Sequence, residues 1–322
     1  MHLSNKRILV TGAAGFIGSH VARACVREGA EVACILRPGS NPWRLQDAQS
    51  VVKRYDADLE DASLVTKTMK DFNPDILLHL ATSVNRARDL DIYTAQHTSN
   101  TLSTLNLVRS ALDSPNLTHF VHTGTIEEYG RGDVPFQESQ REDPITPYSL
   151  TKHESVRIVM YAAREHGLPA TTLRPSLTYG PLQNSRMFIS SFIRAALTTK
   201  RFDMSPGEQS RDFLHVNDAA NAYLLAASAN NINGKIFNVA TGVETKLKDA
   251  AEQLSALFNN DIEINYGAYP CDPNVETMRC FMENSKIREQ LNWQPTINLQ
   301  DGLAQTVDWY QQHASVYEHL WD

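Results

Sequence analysis

Apolar positions in the first half of the chain fall into short unbroken runs separated by longer stretches with helical spacing. Arg7-Ile8-Leu9-Val10 leads into a glycine-rich turn and a helical pattern that continues through Val26. Further strands are predicted at Glu31 to Leu36, at Asp75 to Leu80 behind Asn73-Pro74, at Phe120-Val121-His122, and at Ala170 to Leu173 ahead of Arg174-Pro175. Wholly apolar strands that alternate with helices predict an α/β, doubly wound fold whose parallel sheet is covered on both faces. Right-handed crossovers then place a ligand crevice at the carboxyl ends of the strands. Past about residue 180 the rhythm changes. Helices are predicted over Met187–Leu197, Asp218–Ala229, Leu247–Phe258 and Leu303–Tyr310, strands over Ile236–Val239 and Glu263–Tyr266, and a turn-rich connector over Phe202–Asp212. The expected organisation is a large unit over residues 1–175, to which parts of 211–245 return, and a smaller mixed α/β lobe over 176–322 that covers the cleft.

Composition narrows the class. With 322 residues, 42% of them hydrophobic, the chain can bury a sizeable core without disulfide or metal staples. A net charge of −7 argues against sequence-independent binding of nucleic acid, which needs a basic surface. Cys25, Cys34, Cys271 and Cys280 lack CxxC spacing and flanking histidines, so reduced, mostly buried thiols of a cytoplasmic protein are expected, with no metal site. No apolar run reaches the ~18 residues of a membrane-spanning helix, and Ile8–Val10 is too short for a signal-peptide core. Neither nucleic acid nor membrane is expected as a partner.

Gly12-Ala13-Ala14-Gly15-Phe16-Ile17-Gly18 follows the first strand directly and opens a helix. Glycines at 12, 15 and 18 permit a tight turn and let backbone N–H groups approach a pyrophosphate, to which the helix N-terminus adds partial positive charge. Gly12, Gly15, Phe16, Ile17 and Gly18 are therefore candidates for binding a dinucleotide. An NAD site places a carboxylate at the end of the second strand; here the sequence runs Leu36-Arg37-Pro38-Gly39-Ser40 and on to Arg44 without an acid. Arg37, with Ser40 or Arg44 as further donors, suits a 2′-phosphate, so NADP(H) is favoured while NAD(H) stays open. Tyr148 and Lys152, four apart, share one face of a helix. An ammonium there can lower the phenol from its usual ~10, bind the nicotinamide ribose, and let Tyr148 exchange a proton with a sugar hydroxyl or carbonyl. Thr125, in the segment His122–Gly130 after a strand, is placed to hydrogen-bond the same oxygen.

Together these segments resemble an extended short-chain dehydrogenase/reductase of the nucleotide-sugar epimerase/dehydratase family, over nearly the whole chain. His79-Leu80-Ala81, the Asn-bearing stretch Asn100–Val108, Arg174–Pro181, Arg211–Asp218 and Asn292-Trp293-Gln294-Pro295 are each similar to segments of that family. The resemblance implies a Rossmann-type domain and a nucleotide-diphosphate sugar as substrate. It also implies that Asp58, Leu59, Leu80 and Ala81 contact the dinucleotide, and that Ser83, Asn85, Arg86, Ser176 and Arg211 contact the substrate. It implies a homodimer built as a four-helix bundle from Asn100–Leu112 and Tyr148–Arg164, with Leu102, Leu105, Val108 and Leu112 as surplus apolar positions.

Three departures stand out. Ser176 replaces the Asn of many relatives. Asp272–Glu276 stands where an Arg-Pro-Gly-Asp segment is usual, leaving Arg279 as the nearest second phosphate ligand. Ile126 occupies the place of the acid carried by dTDP-glucose 4,6-dehydratases. Glu127 is similar in position to the base that removes the C5 proton in those dehydratases, yet Glu127-Glu128-Tyr129-Gly130 also resembles GDP-4-keto-6-deoxymannose reductases. The leading reading is an NADPH-dependent reductase of an NDP-4-keto-6-deoxyhexose. The alternative is a 4-epimerase or 4,6-dehydratase with tightly bound NAD(P) and Glu127 as base. A catalytically silent NADP-sensing scaffold is disfavoured by the intact Thr125, Tyr148 and Lys152.

Overall fold

The strand β1 (Arg7–Thr11) is apolar on both faces because each face has its own cover. Ile8 and Val10 join Val21 and Cys25 of helix α1 (Phe16–Arg27) in one core, while Leu9 joins a second core with Phe72 and Leu77. Side chains alternate along a strand, so an unbroken apolar run marks a sheet packed on two sides. The computed structural model describes residues 3–317 except 49 and 273–275, with side chains through residue 313.

The chain continues through β2 (Glu31–Leu36), β3 (Val52–Asp56), α2 (Ala62–Phe72) and β4 (Ile76–His79). A helical stretch follows as α3 (Tyr93–Gln96) and α4 (Ser103–Leu112), joined by a π-helical turn at His97–Leu102, before β5 (His119–Thr123), α5 (Pro147–His166) and β6 (Ala170–Pro175). The second half holds β7 (Leu177–Tyr179), α6 (Phe188–Leu197), β8 (Arg201–Met204), β9 (Ser210–Arg211), β10 (Phe213–His215), α7 (Val216–Ser228) and β11 (Lys235–Val239). It closes with β12 (Thr245–Lys246), α8 (Leu247–Leu257), β13 (Glu263–Tyr266), β14 (Arg279–Cys280), α9 (Ser285–Leu291) and α10 (Leu299–Tyr317).

Seven parallel strands form one sheet in the order β11-β6-β5-β4-β1-β2-β3. This is a Rossmann-type doubly wound sheet. The chain reverses direction across it between β1 and β4, which opens a crevice at their carboxyl ends. Beyond it, Tyr179, Phe192, Phe213, Leu254, Leu303 and Tyr310 build a separate core to which two small sheets, β10-β7 and β13-β8, contribute. Among the described residues no helix is long and apolar enough to cross a membrane. Cys25, Cys34 and Cys280 are buried and unpaired, and burial pushes each thiol up, that of Cys25 to about 12.

One strand went unpredicted and two expectations need correction. β3 carries no long apolar run, because Val52-Lys53-Arg54-Tyr55-Asp56 is an edge strand that buries little. The expected connector over Phe202–Asp212 contains β8, whose Phe202 and Met204 point into the core, and β9, paired with β12 and β14; both strands are too short to announce themselves. Val108 is no surplus apolar position: it is buried in the second core, whereas Leu102 and Leu112 are exposed.

Candidate active site

The glycine turn is dictated by backbone proximity. Gly12 has a φ of +74°, and a Cβ there would lie 2.5 Å from the backbone nitrogen of Ala81. A Cβ on Gly18 would collide with the carbonyl of Gly12. Gly15 caps α1 without any side chain, so the helix N-terminus opens onto the cleft. Thr11 anchors the adjoining strand ends: its Oγ1 shares a 2.7 Å hydrogen bond with His79 Nδ1 and accepts from the Ala81 N–H at 3.2 Å. A cradle of this shape, too tight for side chains and lined by amides, fits a dinucleotide pyrophosphate.

The cleft encloses about 690 Å³ and runs from this turn to the loops after β4, β5 and β7. Gly12, Gly15, Phe16, Ile17, Gly18, Arg37, Ser40, Asp58, Leu59, Leu80 and Ala81 all line it, as do Ser83, Arg86, Thr125, Glu127, Tyr148 and Ser176. Arg37 is mostly exposed and lies 3.8 Å from Asp58 across the ends of β2 and β3. Ser40 Oγ is buried without a protein hydrogen-bond partner.

Local capping positions the polar wall. Thr125 caps the short turn Ile126–Tyr129: its Oγ1 accepts from the Glu127 N–H at 3.3 Å, and Glu128 Oε1 accepts from the Thr125 N–H at 2.7 Å. Glu128 is fully buried and takes two hydrogen bonds from Arg174, at 2.6 and 3.0 Å. Burial pushes the Glu128 carboxyl up, but Arg174, His153 and the Thr125 amide outweigh it and hold it below the usual carboxylate range. Glu142 and His153 complete a cluster whose acceptors lie within 4.8 Å of one another, and Arg174 already bridges its two carboxylates. Sequence reasoning missed Glu128. The Thr-x-x-Glu spacing of a capping box was the available signal.

Thr146 and Pro147 start α5 with a second capping box, which sets Tyr148 in the first turn. Asn100, in the π-helical turn, holds this helix to the loop after β4: its Nδ2 donates to Thr151 Oγ1 at 3.1 Å, and its Oδ1 accepts from the Ser83 N–H at 2.7 Å. Tyr148 is buried, with the Thr125 side chain beside its hydroxyl. Arg86 lies across its ring at 5.8 Å and donates from Nε to Glu127 Oε1 at 2.6 Å.

Several expectations fail here on physical grounds. The Tyr148 phenol is raised rather than lowered, because burial dominates and the Glu127 charge adds to it, against smaller opposing effects from Arg86 and Thr125. Lys152 is not on the cleft wall; it is buried behind it, and burial pushes its ammonium down to about 8 despite the nearby Glu128. Its charge, together with burial, also lowers His79 and His122. Arg44 does not line the cleft, and its guanidinium is turned to main chain: Nε donates to the Leu182 carbonyl at 2.8 Å and Nη1 to that of Ala14 at 3.3 Å. Asn85 turns its Oδ1 to the Ala87 N–H and stays outside the cleft. Ser176 lines the cleft, but its hydroxyl donates to Asp212 at 3.2 Å. Arg211 donates to the carbonyls of Ser210 and Thr277, Arg279 pairs with Glu244 at 2.7 Å, and neither lines the cleft. Of the segment 272–276, residues 273–275 lie outside the described residues.

The loop after β7 was not read from sequence beyond Pro181, yet Gln183, Asn184 and Arg186 line the cleft. It is pinned from both lobes. His20 shares a 3.0 Å hydrogen bond with the Pro181 carbonyl, and Tyr310 donates to that of Gln183 at 2.7 Å. Leu182 is held by Arg44 at a φ of +68°, in the left-handed region that a leucine rarely occupies.

Comparison with known proteins places these features in context. The sequence pattern of the NAD dependent epimerase/dehydratase family matches residues 8–240. An Arabidopsis thaliana trifunctional UDP-glucose 4,6-dehydratase/UDP-4-keto-6-deoxy-D-glucose 3,5-epimerase/UDP-4-keto-L-rhamnose-reductase is 30% identical over 96% of this chain, which spans only 47% of that relative's length. The crystal structure of a Thermotoga maritima UDP-glucose 4-epimerase with UDP-glucose superposes with a TM-score of 0.88 at 26% identity, covering 95% of this chain and 99% of the other. A Streptomyces venezuelae dTDP-glucose 4,6-dehydratase with NAD bound matches with a TM-score of 0.86 at 25% identity, over 98% and 99%.

Proposed function

The chain belongs to the NAD-dependent epimerase/dehydratase family, and we propose that within it the protein is an NADPH-dependent reductase of an NDP-4-keto-6-deoxyhexose. The observation that carries this reading is the wall beside Tyr148: Ile126 offers no acid, and the Glu127 carboxylate is engaged by Arg86 at 2.6 Å. Elimination of water needs an acid and a base at that wall, whereas reduction of a ketone needs one proton.

In this reading residues 1–175, with parts of 211–245, hold the dinucleotide, and 176–322 hold the nucleotide sugar. The cradle at Gly12 and Gly18 receives the pyrophosphate, and the unpartnered Ser40 hydroxyl beside Arg37 supports a 2′-phosphate over a bare ribose. NADPH, when bound, supplies a hydride. Thr125 hydrogen-bonds the C4 oxygen, Tyr148 delivers the proton to it, and the buried Lys152 ammonium adds positive charge behind the wall, beside His79 and His122. Exposed Leu102, Leu112 and Tyr161 support a homodimer through the helices around α4 and α5, which a molar mass from light scattering tests.

The deciding experiment is incubation with UDP- and dTDP-linked 4-keto-6-deoxy sugars, with and without NADPH. Stoichiometric consumption of NADPH with formation of a 6-deoxyhexose is expected. Conversion of the unmodified nucleotide hexoses without added cofactor, by protein purified with NAD(P) bound, would instead establish the second reading, an epimerase or dehydratase, which the presence of Glu127 on the wall favours. Glu127→Gln separates them further. A reductase should lose about tenfold or less, equivalent to ~1.4 kcal/mol, while a dehydratase should lose elimination altogether.

A further inference from the structure

We propose that Arg86 is a positioning residue that restrains the Glu127 carboxylate, so that the site can take a ketone without removing the proton from the carbon beside it. This inference rests on the reading of the cleft as a nucleotide 4-keto-sugar site.

The two side chains come from different strand ends, Arg86 from the loop after β4 and Glu127 from the turn after β5, and meet on the cleft wall. Their contact is a charge-assisted hydrogen bond of 2.6 Å from Nε to Oε1, at the short end for this pair of groups. The guanidinium also lies 5.8 Å from the Tyr148 ring centroid, so one cation faces both the acid and the carboxylate. A carbon base requires a carboxylate with an open lone pair aimed at substrate, and Glu127 has one oxygen committed to a cation. Arg86 itself is half exposed, and no other described side chain takes its Nε–H.

The chemistry held in check is enolisation. With the guanidinium gone, Glu127 can accept the C5 proton. The C5–H electron pair then becomes the C4–C5 double bond, and the C4 carbonyl pair moves to oxygen. Return of a solvent proton to C5 restores the ketone, with no net oxidation or reduction. In deuterium oxide each such cycle leaves a deuterium at C5.

The test uses the full chain, wild type, Arg86→Gln, Arg86→Lys and the Arg86→Gln/Glu127→Gln double variant, with UDP- and dTDP-4-keto-6-deoxy-D-glucose in deuterium oxide and no NADPH. Binding is measured by calorimetry and C5 exchange by NMR. Exchange at least tenfold faster in Arg86→Gln than in wild type is expected, returning to the wild-type rate in the double variant, with Arg86→Lys close to wild type because an ammonium can still hold the carboxylate. If wild type binds a keto sugar but exchanges C5 as fast as Arg86→Gln, or if Arg86→Gln binds it and gains nothing, Arg86 does not restrain Glu127. If neither sugar binds to wild type at millimolar concentration, the keto-sugar reading falls and takes this inference with it.

Discussion

The two ends of the cleft are built on different principles. At the dinucleotide end, the shape is made by main chain: Gly12, Gly15 and Gly18 bring a turn, a helix N-terminus and the strand end at Ala81 so close together that no side chain fits between them. At the proposed sugar end, the wall is made by side chains that hold one another, Glu128 with Arg174 and Glu127 with Arg86. Main-chain geometry follows from local residue types and reads directly from a sequence. Side-chain pairing between loops depends on which loops the topology brings together, and a single sequence carries no mark of it.

The contrast can be broken at its sharpest point with Tyr148→Phe. The ring keeps its packing, so the protein should bind cofactor within a few-fold of wild type while turnover drops by ~10²–10⁴, the usual contribution of a general acid. Turnover within threefold of wild type would remove Tyr148 from the chemistry. Gly18→Ala probes the other end: its Cβ meets the Gly12 carbonyl, so dinucleotide affinity should fall by on the order of tenfold or more. Unchanged affinity by fluorescence titration would mean that the turn is not the cradle.

A pH profile addresses the boundary between the two ends. Lys152 is charged below about 8 in the folded chain and neutral above it, whereas the unfolded chain keeps its proton to the ordinary lysine value. Between these values the unfolded state binds more protons, so this group makes the protein more stable as pH rises. Activity that needs the ammonium should move the opposite way, with kcat/KM falling above about pH 8. Lys152→Met should be slow throughout and lack that limb. The smallest effect is expected for Arg37→Asp, because Arg37 is mostly exposed and its pairing with Asp58 is loose. The ratio of NADPH to NADH affinity should fall by about tenfold or less; an unchanged ratio would place the 2′-phosphate elsewhere.

How far the fold was legible follows the same division. Ile8–Val10 and Glu31–Leu36 announce themselves because both faces of the strand are buried, whereas the edge strand Val52–Asp56 and the two-residue Ser210–Arg211 carry no pattern long enough to read. Of the candidate site, the glycine turn, Thr125 and Tyr148 were readable from spacing. Lys152 was readable as a neighbour of Tyr148, but its burial was not, since nothing in the spacing tells which wall the ammonium faces. Arg211 and Arg279 look like phosphate ligands in sequence, and the structure spends them on carbonyls and on Glu244.

The pinning of the loop after β7 bears on how such a protein can diversify. Arg44, His20 and Tyr310 hold that loop through the carbonyls of Leu182, Pro181 and Gln183, which any amino acid supplies. The three contacts themselves therefore survive exchange of side chains. Just beyond the pinned carbonyls, Asn184 and Arg186 line the cleft, and their side chains can change while those contacts keep the loop in place. In the proposed reading, selection on substrate choice and selection on cofactor geometry then act on different residues of one loop, so one can proceed without undoing the other.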